Sequence, residues 1–296
     1  SIVVADAFPE AQAAKFGSLI IQDLGGRMKP ANTFSSELLR KVSKSDTYNG
    51  LNSDQVLLSI LNGPAIWYNI PIIYLKRGND SIRSIAGVDK KAKYAPLISF
   101  FDQEGNYKIA TQMEEAYRAA IPNQFNKDFI EVDKRINLLY SALEGKVLRI
   151  FPIPDDENNK WVSFPELEEA NFKGTDSLYV NNVLPLYFRS MRLGKTTQDY
   201  KEADELLESL KGFQQRFGSA VIPNKDRVAA EITYNKYDIF KKLFSWYLYV
   251  GFFFFVLLII QIFKDSKAIR AAILFFKGAA FLLFALHTAG LAARWF

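Results

Sequence analysis

From position 243 to position 263 the chain runs 21 residues without a charge, LFSWYLYVGFFFFVLLIIQIF. At a helical rise of about 1.5 Å per residue this is a rod of ~31 Å, matching the ~30 Å hydrocarbon core of a bilayer. Trp246, Tyr247 and Tyr249 crowd one end, where amphipathic aromatics favour the headgroup level. A second apolar run, residues 271–293, holds only Lys277 and His287 as ionisable groups. Lys277 lies about 10 Å along the axis from Arg270 and can snorkel back to that surface. Arg294 and Trp295 mark the far interface. The link between the runs, KDSKAIR, is too short for anything but a tight helical hairpin.

Charge divides the chain at the same place. Residues 239–296 carry seven basic side chains against the single acid Asp265, giving +6. The whole chain is +5, so residues 1–238 come to −1. The basic character therefore belongs to the membrane-directed tail. A nucleic-acid face would need clustered positive charge on the large folded portion, so no nucleic acid is expected as a partner. Membrane lipid is. The link carries Lys264, Lys267 and Arg270, as a cytoplasmic loop does under the positive-inside rule, but Lys236, Lys241 and Lys242 flank the other end, so charge counting alone leaves the orientation open. Residues 1–14 lack the basic start and apolar core of a signal peptide. The chain opens on Ser, which suggests a processed or truncated polypeptide.

Residues 1–238 read as a mostly helical soluble domain. A short helix is expected over 33–44, and Asn52 with Gln55 forms a capping box for a helix ending at Asn62-Gly63-Pro64. The longest helix spans 123–144, where Phe125, Phe129, Val132, Ile136, Leu139 and Leu143 form one apolar stripe and Gly145 ends it. A β-hairpin follows, with strands 147–153 and 160–164. Helices over 176–193 and 197–217 come next. The second buries Ala203, Leu206, Leu207, Leu210, Phe213 and Phe217. From Asn224 the chain reads as helical straight into the first span, residues 243–263. The expected fold is mainly α, with a small β-hairpin in domain 1–238 and a two-helix transmembrane hairpin in 239–296.

Chemistry-bearing motifs are few. The chain has no cysteine and a single histidine, which removes thiol chemistry, disulfides, zinc ribbons and multi-histidine metal sites. Gly194-Lys195-Thr196 resembles the end of a phosphate-binding loop, but the required earlier glycine is Arg189, and a helix precedes where a strand is needed. It reads as a helix-ending glycine followed by a Thr197 cap. Gly25–Pro30, GGRMKP, reads as a turn with a solvated basic rim, an anion cradle being the alternative. Asp155-Asp156-Glu157 lacks the spacing of a calcium loop and reads as a hairpin tip. Glu114 and Glu115 point about 100° apart on a helix and make a poor acid–base pair.

His287 stands apart because an ionisable residue within a span is a functional-site hypothesis by default. Imidazole is an axial ligand for haem iron. Two readings stand: a histidine near the outer interface, hydrogen-bonded to a neighbouring helix, or a haem contact. Ala289, Gly290, Ala292 and Ala293 keep this end of the helix slim, so a neighbouring helix or a flat macrocycle can approach closely.

Three stretches, FGSLIIQDLGGRMKPANTFSSELLRKVS (16–43), YNGLNSDQVLLSILNGPAIWYNIPII (48–73) and LHTAGLAARWF (286–296), resemble the fused System II cytochrome c biogenesis proteins. In these, ResB-like and CcsA-like parts share one chain. LRIFPIPDDENNKWVSF (148–164) fits the same pattern. The resemblance implies a multi-pass protein of the bacterial inner membrane with its large domain in the periplasm. It further implies a role in exporting haem and presenting it to the Cys-x-x-Cys-His motif of apocytochrome c. The expected partners are apocytochrome c and the remaining ResB/CcsA-type membrane segments, and the implied cofactor is haem. The sequence ends at Phe296, before the family's Gly-His-x-Pro stretch and Trp-rich haem-handling loop. Of possible haem contacts or iron ligands only His287 is nominated, and no catalytic residue is. The chain would be at most part of a cytochrome c synthetase. The competing reading is a non-enzymatic, membrane-anchored scaffold of another envelope complex.

Overall fold

The chain divides into two compact units, Ser1–Pro223 and Asn224–Phe296. The structure, a computed structural model, describes residues 6–295, with side chains as far as 292. Arg294 and Trp295, expected at the outer interface, lie outside the described side chains. The architecture is mainly α, with short strand pairs and two long apolar helices at the end.

The first unit opens with α1 (Glu10–Gly17), then the antiparallel pair β1 (Ile20–Gln22) and β2 (Met28–Pro30), and α2 (Ala31–Ser43). A two-residue ladder, β3 (Thr47–Tyr48) with β4 (Leu51–Asn52), leads into α3 (Ser53–Asn62). The capping box forms as the sequence predicts. Gln55 N–H donates to Asn52 Oδ1 at 2.9 Å, and Asn52 N–H donates to Gln55 Oε1 at 3.1 Å. Two amides that a helix start would otherwise orphan are thereby satisfied. Pro64 then opens the short α4 (Pro64–Trp67).

The elements over 73–118 have little sequence signature. They are β5 (Ile73–Tyr74) paired with β6 (Tyr94–Ala95), α5 (Asp80–Ala86) and α6 (Ala110–Arg118). Each is shorter than the 11–18-residue window in which periodicity can be read. The long stripe helix is present as α7 (Gln124–Leu143), capped by the Asn123 side chain. Phe129, Val132, Ile136, Leu139 and Leu143 are buried, but Phe125 is 42% exposed. It sits in the first turn, where its ring lies 4.9 Å from that of Phe129, centroid to centroid.

The expected hairpin is shorter than its sequence pattern, reduced to β7 (Phe151–Pro152) and β8 (Trp161–Val162). Pro152 and Pro154 have no N–H to extend the ladder. Next come α8 (Gly174–Thr197) and α9 (Lys201–Gly218). Ala203, Leu207, Leu210 and Phe213 of α9 are buried, while Leu206 and Phe217 are half-buried. From α9, buried Gln214 donates to Ile20 O at 2.8 Å and to Ile150 O at 2.9 Å, tying both hairpins to one helix.

The second unit begins where the Asn224 side chain caps α10 (Lys225–Tyr237). The expected straight run into the membrane span is interrupted. Asp238 adopts φ 41°, ψ 55°, a left-handed break before α11 (Ile239–Phe263). Only residues 264–266 separate α11 from α12 (Lys267–Trp295), so the two helices fold back as a hairpin. Both are long and apolar enough to cross a membrane, and unlike core helices they are only 6% and 11% covered by protein.

Candidate functional site

His287 lies two-thirds of the way along α12, half-buried, facing the start of α11. Its ring meets Phe240 nearly edge-on, with centroids 5.1 Å apart, and Tyr247 at 6.1 Å. Close approach of the two helices follows from Gly290, where a β-carbon would already touch Phe240 Cζ at 3.5 Å. The neighbouring helix therefore reaches the imidazole with aromatic rings. Among the described residues neither ring nitrogen has a hydrogen-bond partner. Thr288 is turned away and donates to Phe284 O at 2.9 Å.

One half-buried imidazole, flanked by two aromatic rings, would offer a single nitrogen to haem iron. The chain offers no second imidazole, because it has no other histidine. Among the described residues no group of three or more His, Cys, Asp or Glu side chains is placed to hold a metal ion.

In the first unit, two of the stretches that carry the family resemblance converge on one buried carboxylate. Asp54, in the first turn of α3, accepts from Asn32 Nδ2 at 2.7 Å and from the Ser35 hydroxyl, both on α2. Ser36 Oγ and Ser53 Oγ pair alongside at 3.2 Å. The backbone of α1 closes over the cluster at Gly17. Burial pushes the Asp54 carboxyl above its ordinary range, opposed by the hydrogen bonds from Ser35 and Asn32. No sequence period marked this cluster, because its members are brought together from three helices. It is a structural joint that ties α2 to α3 through the buried Ser35 and Asp54.

The remaining motifs resolve into structure. Gly25 and Arg27 donate their backbone N–H groups to Asp23 Oδ1, at 2.9 and 3.0 Å, which makes the GGRM segment a turn. Its expected solvated basic rim is corrected at Lys29, which is only 4% exposed. Lys29 is buried in β2, and Glu37 Oε2 at 3.0 Å supplies the carboxylate a buried ammonium needs. Gly194 does not end its helix; α8 continues to Thr197, and Gln198 takes the left-handed cap position. Glycine is needed there because a β-carbon would lie 2.5 Å from the Tyr200 ring. Lys195 is held by Asp6 Oδ1 at 2.7 Å. Asp156 caps its own hairpin tip through the N–H groups of Asn158 and Lys160.

No family model matches the chain. Among curated proteins, it is 29% identical over 285 residues to Protein NrfI of Wolinella succinogenes. The match takes in 94% of this chain and 30% of that relative, so the chain spans about a third of the relative's length.

Proposed function

We propose that this chain is a membrane component of a cytochrome c maturation machine, which exports haem and presents it for attachment to apocytochrome c. The observation that carries the reading is the likeness to NrfI along nearly the whole chain. Support also comes from the motif resemblance, in which the NT-SSELL and SDQ segments meet at Asp54, and from two bare apolar helices joined by a basic link. In this reading residues 1–238 face the periplasm of a bacterial inner-membrane protein and residues 264–270 face the cytoplasm.

His287 is the residue assigned to haem. When bound, haem supplies the group that becomes attached to apocytochrome. Phe240 and Tyr247 hold the imidazole from the α11 side and limit its rotation, so one edge stays presented away from that helix. Any further haem ligand would come from another segment of the assembly. The chain has no cysteine, so the thiols of attachment belong to the apocytochrome.

The test is haem titration of the purified full chain in detergent, read at the Soret band. His287→Ala should abolish the saturable band without changing the melting temperature, and imidazole added to His287→Gly should restore it. An unchanged band in His287→Ala would remove the haem role and leave a packing histidine.

A further inference from the structure

The first unit carries a concavity of about 590 Å³ beside α7, whose floor and walls include Lys44, Lys76, Lys93, Lys127 and Arg135. Only two carboxylates, Asp128 and Glu131, line it with them. Both are already engaged: Asp128 Oδ1 lies 3.0 Å from Lys76 Nζ, and Glu131 Oε2 lies 3.4 Å from an Arg135 guanidinium nitrogen. Lys44, Lys93 and Lys127 are exposed and have no carboxylate partner among the described residues. Lys93 only overlies the Tyr94 ring, at 5.2 Å.

Two further observations make this more than a solvated lysine face. First, the cleft holds a local excess of +3 in a domain of residues 1–238 whose net charge is −1, so composition alone does not produce it. Concave walls of low dielectric concentrate such a field. Second, the floor is rigid. Arg135 is only 6% exposed, donates to Tyr74 O at 3.2 Å and packs under the Tyr74 ring at 5.5 Å, while its Nε–H is buried without a partner. Burial lowers the hold of this guanidinium on its proton, with Glu131 opposing. The volume falls in the range of small-molecule sites, about 300–1,000 Å³.

We infer that this cleft binds a small ligand bearing two or more anionic groups, carboxylate or phosphate, with Lys44, Lys93 and Lys127 closing on it over the Arg135 floor. This goes beyond the haem reading and does not involve His287.

The test is calorimetric titration of the full chain in detergent with citrate and, separately, with inorganic pyrophosphate. Saturable one-site binding of either probe is expected, and the preferred probe identifies carboxylate or phosphate as the ligand chemistry. Two lost ammonium contacts should weaken it about tenfold in the Lys44→Gln/Lys127→Gln variant. Arginine at the same two positions should retain it. Lys201→Gln, a basic surface change outside the cleft, should leave it unchanged. Absence of saturable binding by both probes would overturn the assignment, as would equal weakening in Lys201→Gln. Saturation only by a polyglutamate peptide would also overturn it, in favour of a protein partner.

Discussion

Gly17 of α1 lies directly against Asp54 of α3: a β-carbon on Gly17 would stand 2.7 Å from Asp54 Oδ2 and 3.0 Å from its Cγ. The carboxylate cannot withdraw, because Asn32 and Ser35 hold it from α2. Gly17→Ala should therefore lower stability by about 1–3 kcal/mol through overpacking. The measurement is urea unfolding of the full chain in detergent, and an unchanged midpoint would mean that the helices stand further apart.

Two carboxylates of this unit, the half-buried Glu166 and the buried Asp54, should respond to pH with opposite signs. Glu166 feels burial, which raises its carboxyl, but hydrogen bonds from Arg149 and Ser163 outweigh it and hold the group below its ordinary value of 4.5. Its contribution is present above that value and is lost as pH falls through the depressed folded value. Glu166→Gln should lose roughly 1–2 kcal/mol at neutral pH and almost nothing in strong acid.

Asp54 is raised, so the stability linked to its protonated form is complete below its ordinary value of 3.8 and lost as pH rises through the folded value. The stability of the wild type relative to Asp54→Asn should accordingly decline as pH rises above 3.8. Thermal melts of both proteins on the rising side of that value check the slope. A difference that grows with pH would contradict the burial.

On α7, Ile136 is 1% exposed and Phe125 is 42% exposed, although both belong to one sequence stripe. Ile136→Ala should cost about 2–5 kcal/mol. Phe125→Ala should cost less than Ile136→Ala, since 42% of Phe125 stays in water. Equal effects in denaturant unfolding would place the helix phase elsewhere.

The proposed orientation predicts the chemistry of introduced thiols. A cysteine at Ser266, in the link before α12, should resist an impermeant maleimide in intact cells. One at Thr175, exposed in the first turn of α8, should react. The reverse labelling pattern would invert the topology.

Sequence alone determined what depends on local pattern. The two apolar helices follow from unbroken hydrophobic runs. The capping box of α3 follows from Asn52 and Gln55, and the phase of α7 from five of its six stripe residues. These are short-range consequences of periodicity and of backbone amides that must find partners. Tertiary structure decided the rest, because the deciding neighbours are remote in the chain. Gly194 reads as a helix stop by itself, yet stays helical because the Tyr200 ring fills the space its missing side chain leaves. Lys29 reads as a solvated cation until α2 brings Glu37 to it. Asp238 breaks the helix at a residue that no local propensity marks. The ring environment of His287 depended on which residues of α11 the turn at 264–266 would set opposite it. Phe240 lies 47 residues away in sequence and 5.1 Å away in space. Local pattern sets which segments are helices, and only packing sets which side chains meet.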